Sequence, residues 1–299
     1  MIENLTNKRI AYLDVLLVLA TFMVIMVHVG DAYILNIETM TFGKEATFFA
    51  VLLRSSAPLF IIMSLILLLP IKTGSIVFFK RRFSWVVIPF LVWSIIYIFL
   101  PLPNIVIFGG TDNVLAGSDM NIFLYNLIMI PFNFTASNVH FWFIYIILGL
   151  YLFMPIFSPW IKNASKKAFV FFLGIWIITL FFPYIRMFFP RIHGESDWND
   201  FGMMYYFGGY FGYVILGYFS HHYTLLSVNK FLLLETFLFL VGAALTYWGF
   251  IHDQNVFLNK IATSNEEDWK LIEFNMNFLS PNIVIMTTGI FLIVQEIKV

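Results

Sequence analysis

Apolar residues run along this chain in blocks of about 20, separated by short polar stretches. At 1.5 Å rise per residue such a block matches the roughly 30 Å hydrocarbon core of a bilayer. Eight blocks are predicted to cross: 10–30, 46–70, 84–100, 141–160, 168–189, 203–220, 231–251 and 281–297. A shorter run, 121–134, lies between the third and fourth. Charge decides how to read it. With eight crossings and the N-terminus inside, the cytoplasmic segments hold Lys8, Arg9, Lys72, Lys80, Arg81, Arg82, Lys162, Lys166, Lys167, Lys230 and Lys298. The outer segments then hold mainly acids, among them Asp31, Glu38, Glu45, Asp112, Asp119, Glu195, Asp253 and Glu266. This is the positive-inside bias, and a ninth crossing at 121–134 would export Lys162, Lys166 and Lys167. The run is therefore expected to be a re-entrant or interfacial helix.

The prediction is all-α: a polytopic transmembrane bundle of about eight spans, forming a single domain over 1–299. It sits in the cell (plasma/inner) membrane, multi-pass, with a cytoplasmic N-terminus. The first apolar run is too long for a cleaved signal peptide, and no small-residue cleavage pattern follows it. Pro58, Pro89 and Pro155 fall inside spans, where each frees backbone groups that neighbours or a wet cavity must satisfy. No internal repeat and no flexible linker divides the chain.

Composition agrees. The chain is 61% hydrophobic and 11% charged, whereas ordinary globular domains are about 45–50% apolar and about 25% charged. A net charge of zero excludes nucleic acid as a natural partner. The absence of Cys removes thiol nucleophiles, disulfides and thiolate metal sites.

Ionisable groups inside the apolar blocks carry the functional signal, because a charge in hydrocarbon is costly without a partner or a wet cavity. His28 stands about 27 Å from the start of the first helix, near the outer face. Asp14 shares its face but lies about 21 Å away, so the two form no hydrogen-bonded dyad. Asp31, three residues on, reaches His28 if the helix continues past Gly30. Arg54 lies about 12 Å below the outer end of the second span, followed by Ser55, Ser56 and Pro58, and this favours a polar cavity over snorkelling. Lys80, Arg81 and Arg82 precede the third span, either as a topology signal or as a mouth for a phosphate-rich ligand such as coenzyme A. His140 and Trp142 open the fourth span at the outer level. His221 and His222 fall in an inner loop. His193, Glu195, Asp197 and Asp200 lack helical ligand spacing, so no metal site is expected. No Walker A loop, nucleophile elbow or His-Glu-x-x-His motif is present.

The order of these residues resembles the acyltransferase 3 family, within it the branch of bacterial surface-polysaccharide O-acyltransferases. The likeness rests on Leu13 and Asp14 with His28; Arg54 with Pro58, Leu59 and Phe60; and Lys80, Arg81 and Arg82 leading to Ile88, Pro89 and Phe90. It continues through His140, Phe141, Trp142 and Phe143 to Leu150, Tyr151 and Pro155, and then Tyr210–Tyr213 with Leu216, Gly217 and Tyr218. It covers roughly residues 9–220 and is looser beyond. The resemblance implies transfer of an acyl group, usually acetyl, from cytoplasmic acyl-CoA to a glycan hydroxyl at the outer face, with His28 essential. Three features depart from the family: Leu17 where it carries arginine, Leu65 where a glycine follows the serine, and eight spans where it has ten.

The expected function is therefore membrane O-acylation of a surface glycan or lipid-linked sugar, with acyl-CoA as donor substrate and no cofactor. His28 acts as general base or accepts the acyl group itself, and Arg54 stabilises developing charge or holds the donor. On the donor side stand Asp14, Arg81 and Arg82; on the acceptor side stand Asp31, His140 and Trp142. Two alternatives stay open: a glycan exporter or flippase, and a degenerate partner subunit, for which Leu17 speaks. Against the exporter stands the lack of repeats or paired broken helices, with polar groups set toward the two faces.

Overall fold

The computed structural model describes residues 10–36, 41–99, 120–132, 140–189, 204–223, 228–260 and 274–296. In chain order the helices are α1 (Ala11–Ile34), α2 (Lys44–Leu53), α3 (Ser56–Ile66), α4 (Ser75–Phe99), α5 (Met120–Met129) and α6 (Trp142–Asn163). They continue with α7 (Lys166–Leu180), α8 (Phe182–Phe188), α9 (Phe211–His222), α10 (Val228–Lys260) and α11 (Pro281–Glu296), the last preceded by a 3-10 turn at Phe274–Met276. A two-residue antiparallel ladder, β1 (Leu35–Asn36) with β2 (Thr41–Phe42), closes the hairpin between α1 and α2. The chain is a polytopic helical bundle, and among the described residues seven helical segments are long and apolar enough to cross a membrane.

Most predicted spans appear within a few residues of their expected limits, and three differ for physical reasons. The third span starts nine residues early, so Lys80, Arg81 and Arg82 ride on the first turns of α4 instead of preceding it. Long cationic side chains at a helix end reach water by their own length, so they need not end the helix. The seventh span continues through Asp253 to Lys260, where polarity suggested a loop. The sixth, expected over 203–220, is helical only from Phe211 to His222. That helix is about 18 Å long, half of what a crossing needs. As expected for a segment that does not cross, α5 has ten residues, about 15 Å.

The helices form two compact units: α1–α3 with α7–α11, and α4–α6. In the second, Phe90, Ile130 and Phe141 form a buried cluster, and the Tyr145 hydroxyl donates to the Ile130 carbonyl at the end of α5. Ser158 in α6 accepts a 2.7 Å bond from the Ile71 backbone N–H.

In the first unit, α10 and α11 meet backbone to backbone. A Cβ on Gly242 would lie 2.6 Å from the Met286 nitrogen, and one on Gly289 the same distance from the Phe239 nitrogen. Side-chain-free glycine is what permits this approach. Contacts at the ends of α9 fix its depth. Its last residues lie where α1 and α7 begin: Tyr12 is hydrogen-bonded to His221, and Lys166 sits 5.8 Å from the Tyr223 ring centroid. Its start lies ten residues, about 15 Å, along α7, where Trp176 Nε1 donates to the Gly209 carbonyl. The chain thus returns to the face from which α7 departs. Half of that crossing is helix, and the irregular 204–210 lies at mid-depth.

Candidate functional site

Pro58 explains the local structure around Arg54. Its ring lacks a donor and opposes the carbonyl four residues back, which belongs to Arg54, so the helix stops at Leu53 and restarts at Ser56. Arg54 is placed in this break. Its Nε donates to the Met276 carbonyl at 2.9 Å, and its guanidinium carbon lies 4.9 Å from the centroid of the Phe278 ring. The Phe278 carbonyl in turn accepts from the buried Tyr213 hydroxyl of α9. Among the described residues no carboxylate pairs with Arg54.

Beside this break lies a polar network that the sequence reading missed. Asp253, 6% exposed, accepts from the Asn275 backbone N–H at 3.2 Å and from Asn275 Nδ2 at 2.8 Å. Tyr184 donates to Asn275 Oδ1 at 2.9 Å. Asn282 Nδ2 reaches Thr246 Oγ1 at 2.8 Å and the Asn275 carbonyl at 2.7 Å. Ser280 Oγ donates to the Phe274 carbonyl at 2.9 Å. These bonds hold the segment 274–280 in the non-helical shape that presents Met276 to Arg54. A signal was available in the sequence. Gly242, Thr246, Gly249 and Asp253 recur at three- and four-residue spacing, which puts small and polar residues on one helical face. All four are buried.

The remaining expected residues are distributed as follows. Asp14 is half-buried in the first turn of α1, and the His28 ring is exposed near its far end. The ladder pairs Leu35 with Phe42 and Asn36 with Thr41. Carried down the two antiparallel helices, this register sets Arg54 level with Met23, about 7.5 Å nearer the bilayer centre than His28. Asp31 belongs to α1, but its side chain lies outside what is described, and so do His193, Glu195, Asp197 and Asp200. Arg81 is exposed and Arg82 half-buried on α4, in the second unit. There His140 packs against Tyr97 and Phe141, with ring centroids at 4.9 and 4.5 Å, and Trp142 meets the edge of Phe143. The structure thus gathers Arg54 with α9 and the 274–280 segment, and places Asp14 and His28 along α1 of the same unit. Arg81, Arg82, His140 and Trp142 belong to the other unit.

His221 and His222 occupy the last turn of α9 and not a loop. Burial and the neighbouring His222 push the His221 imidazole below its ordinary value. This suits a neutral ring bonded to Tyr12. Among the described residues no group of three or more His, Asp or Glu side chains could hold a metal ion.

Arg54 in a helix break, His28 about a turn and a half above it on α1, and the buried polar network all belong to one unit of a polytopic membrane protein. Its sequence identifies the class: the acyltransferase domain family matches residues 10–295, and this chain belongs to that family. The match runs past residue 220, where the resemblance had loosened, and takes in α10 and α11. The same comparisons found no matching curated protein and no matching solved structure. The chain is a membrane acyltransferase.

Proposed function

We propose that this acyltransferase moves an acyl group, acetyl in the simplest case, from cytoplasmic acyl-CoA to a hydroxyl of a surface glycan or lipid-linked sugar. His28 serves as general base. It takes the proton of the acceptor hydroxyl as that oxygen adds to the thioester carbonyl, and returns it to the departing thiolate when the tetrahedral intermediate collapses. General-base action contributes about 10²–10⁴, so positioning and charge stabilisation must supply the rest. Arg81 and Arg82 gather the donor's phosphates, with Asp14 on the same inner side. Asp31, His140 and Trp142 border the glycan side, where an aromatic face stacks on a sugar ring. The basic bias of the segments assigned to the cytoplasm supports an inner N-terminus.

One observation carries the reading: an exposed imidazole near the far end of α1 stands about a turn and a half above a helix break that holds a half-buried guanidinium. Mass spectrometry of the surface glycan with and without the gene tests it, because acyl groups are expected to vanish on deletion. His28→Ala is expected to abolish transfer while the protein still inserts at wild-type level, and full activity in that variant would end the proposal.

The exporter reading also gains an observation. The lack of paired broken helices, which counted against this reading, does not hold, since two crossings are interrupted at mid-depth beside polar groups, as in many transporters. Family membership favours transfer. Normal acylation with polymer trapped inside a deletion strain would reverse that preference.

A further inference from the structure

The two interrupted crossings start their inner halves at one level. Gly217 of α9 packs on Ile62 and Ile66 of α3, and Tyr213 in the first turn of α9 donates to the carbonyl of Phe278, whose ring lies under the Arg54 guanidinium. These two contacts, four residues apart on α9 and eight to twelve apart on the other segment, make α3 and α9 parallel. Both helices therefore begin beside Arg54, α9 bringing roughly half a positive charge at its N-terminus and α3 a share that the C-terminus of α2 at Leu53 partly offsets. The third participant is Ser55. It is fully buried in the N-cap position of α3, yet among the described residues its Oγ has no hydrogen-bond partner. An N-cap hydroxyl in extended backbone ordinarily accepts from the N–H two or three residues on; here Ser55 has helical backbone angles and makes no cap bond to Ala57, and the next residue, Pro58, has no N–H. The hydroxyl is left with a proton to donate, in a place where an unmade bond is costly.

We propose that Arg54, the Ser55 hydroxyl and the starts of α3 and α9 form an oxyanion site inside the membrane, which receives the carbonyl oxygen of the acyl group in transit. This rests on the acyl-transfer reading above. As the acceptor oxygen bonds to the thioester carbon, the carbonyl π pair moves onto oxygen and creates one negative charge. That charge re-forms the C=O bond as C–S breaks and the thiolate leaves with the proton from His28. Arg54 is tethered at Nε by Met276, which leaves its terminal nitrogens as donors. A single oxyanion matches a single guanidinium, whereas a donor pyrophosphate would bring more charge than the site can balance at this depth. The level of Arg54 fits the assignment, because it stands about 7.5 Å below His28, which leaves room for a carbonyl between the two levels.

Binding of coenzyme A and of carboxymethyl-coenzyme A to the full-length protein in nanodiscs, with steady-state transfer alongside, tests the assignment. The carboxymethyl group places a carboxylate where the oxyanion forms. Wild type is expected to favour the carboxymethyl compound about tenfold or more. Ser55→Ala is expected to erase most of that preference, to leave coenzyme A affinity, KM and melting temperature unchanged, and to lower kcat by roughly 10²-fold, the usual loss for one oxyanion donor. Ser55→Cys, nearly isosteric with a weak donor, should fall between, and Arg54→Lys should lose more than Ser55→Ala because it lacks the fork. Equal weakening of both compounds in Ser55→Ala would assign the site to donor phosphate and overturn the proposal. So would wild-type kcat in Ser55→Ala. A wild-type protein that binds coenzyme A without distinguishing the two compounds overturns this assignment alone. One that binds neither overturns the donor reading and this assignment with it.

Discussion

The α2–α3 segment and α4 each carry a proline within a membrane-spanning length, and they respond to it differently. The first is interrupted at Arg54 and Ser55, while α4 runs unbroken through Pro89. Burial separates them: 61% of the apolar window of Lys44–Ile66 is buried inside the bundle, against 11% for Ser75–Ile98. A helix open to hydrocarbon has nothing to satisfy freed backbone groups, so it keeps its ladder as complete as its sequence allows. A buried helix can break where other chain segments cover the gap. In α2–α3 the break coincides with an arginine, which makes it a site, whereas Pro89 makes only a local adjustment.

Four tests sharpen or break this contrast. The largest effect on stability is expected from Asp253→Ala, which strips two bonds from the half-buried Asn275 and leaves its donors unpaired. A loss of about 2–3 kcal/mol follows, with a lower melting temperature and reduced transfer because Met276 no longer holds Arg54 in place. An unchanged melting temperature would mean that the segment 274–280 is held by something else. Gly242→Val comes next. Its new side chain would press on the backbone of α11, an overpacking worth about 1–3 kcal/mol, whereas the same change at Gly149, with open space around it, should leave stability almost untouched.

The proline pair tests the comparison directly. Pro58→Ala supplies the N–H that Ser55 lacks, so α3 should gain about 1 kcal/mol from capping while transfer falls. Pro89→Ala should leave transfer at the wild-type rate. Equal activity in both variants would detach the helix break from function. The smallest effect belongs to Glu235, whose two carboxylate oxygens are enclosed at 1% exposure with no hydrogen-bond partner among the described residues. Glu235→Gln removes the possibility of a buried charge, so stability should hold or rise by up to about 1 kcal/mol, read as an unchanged or slightly higher melting temperature. A marked fall would reveal a partner for that carboxylate in the membrane.

The bundle itself was legible because hydropathy reports the solvent that surrounds a segment, and α1, α6 and α7 matched it closely. Hydropathy does not distinguish a helix from an irregular strand of apolar chain, so the half-length α9 was invisible in 203–220. Asp253 was taken for a loop residue because a carboxylate in isolation argues for water. Its partner, Asn275, is distant in sequence and gave no local sign. Arg54 was expected beside a polar cavity because Ser55, Ser56 and Pro58 follow it. The convergence of α3 with α9 required the tertiary packing.

The glycines between α10 and α11 have a mechanical consequence. Two rods touching along their main chains cannot slide or roll separately, so the pair must tilt as one body. Because the 274–280 segment is bonded to both rods, through Asp253 and Asn282, the carbonyl that tethers Arg54 rides on that body. Any force that rocks the pair, whether from lipid thickness or from a bound sugar chain, would reach the guanidinium as a tightening or slackening of its leash.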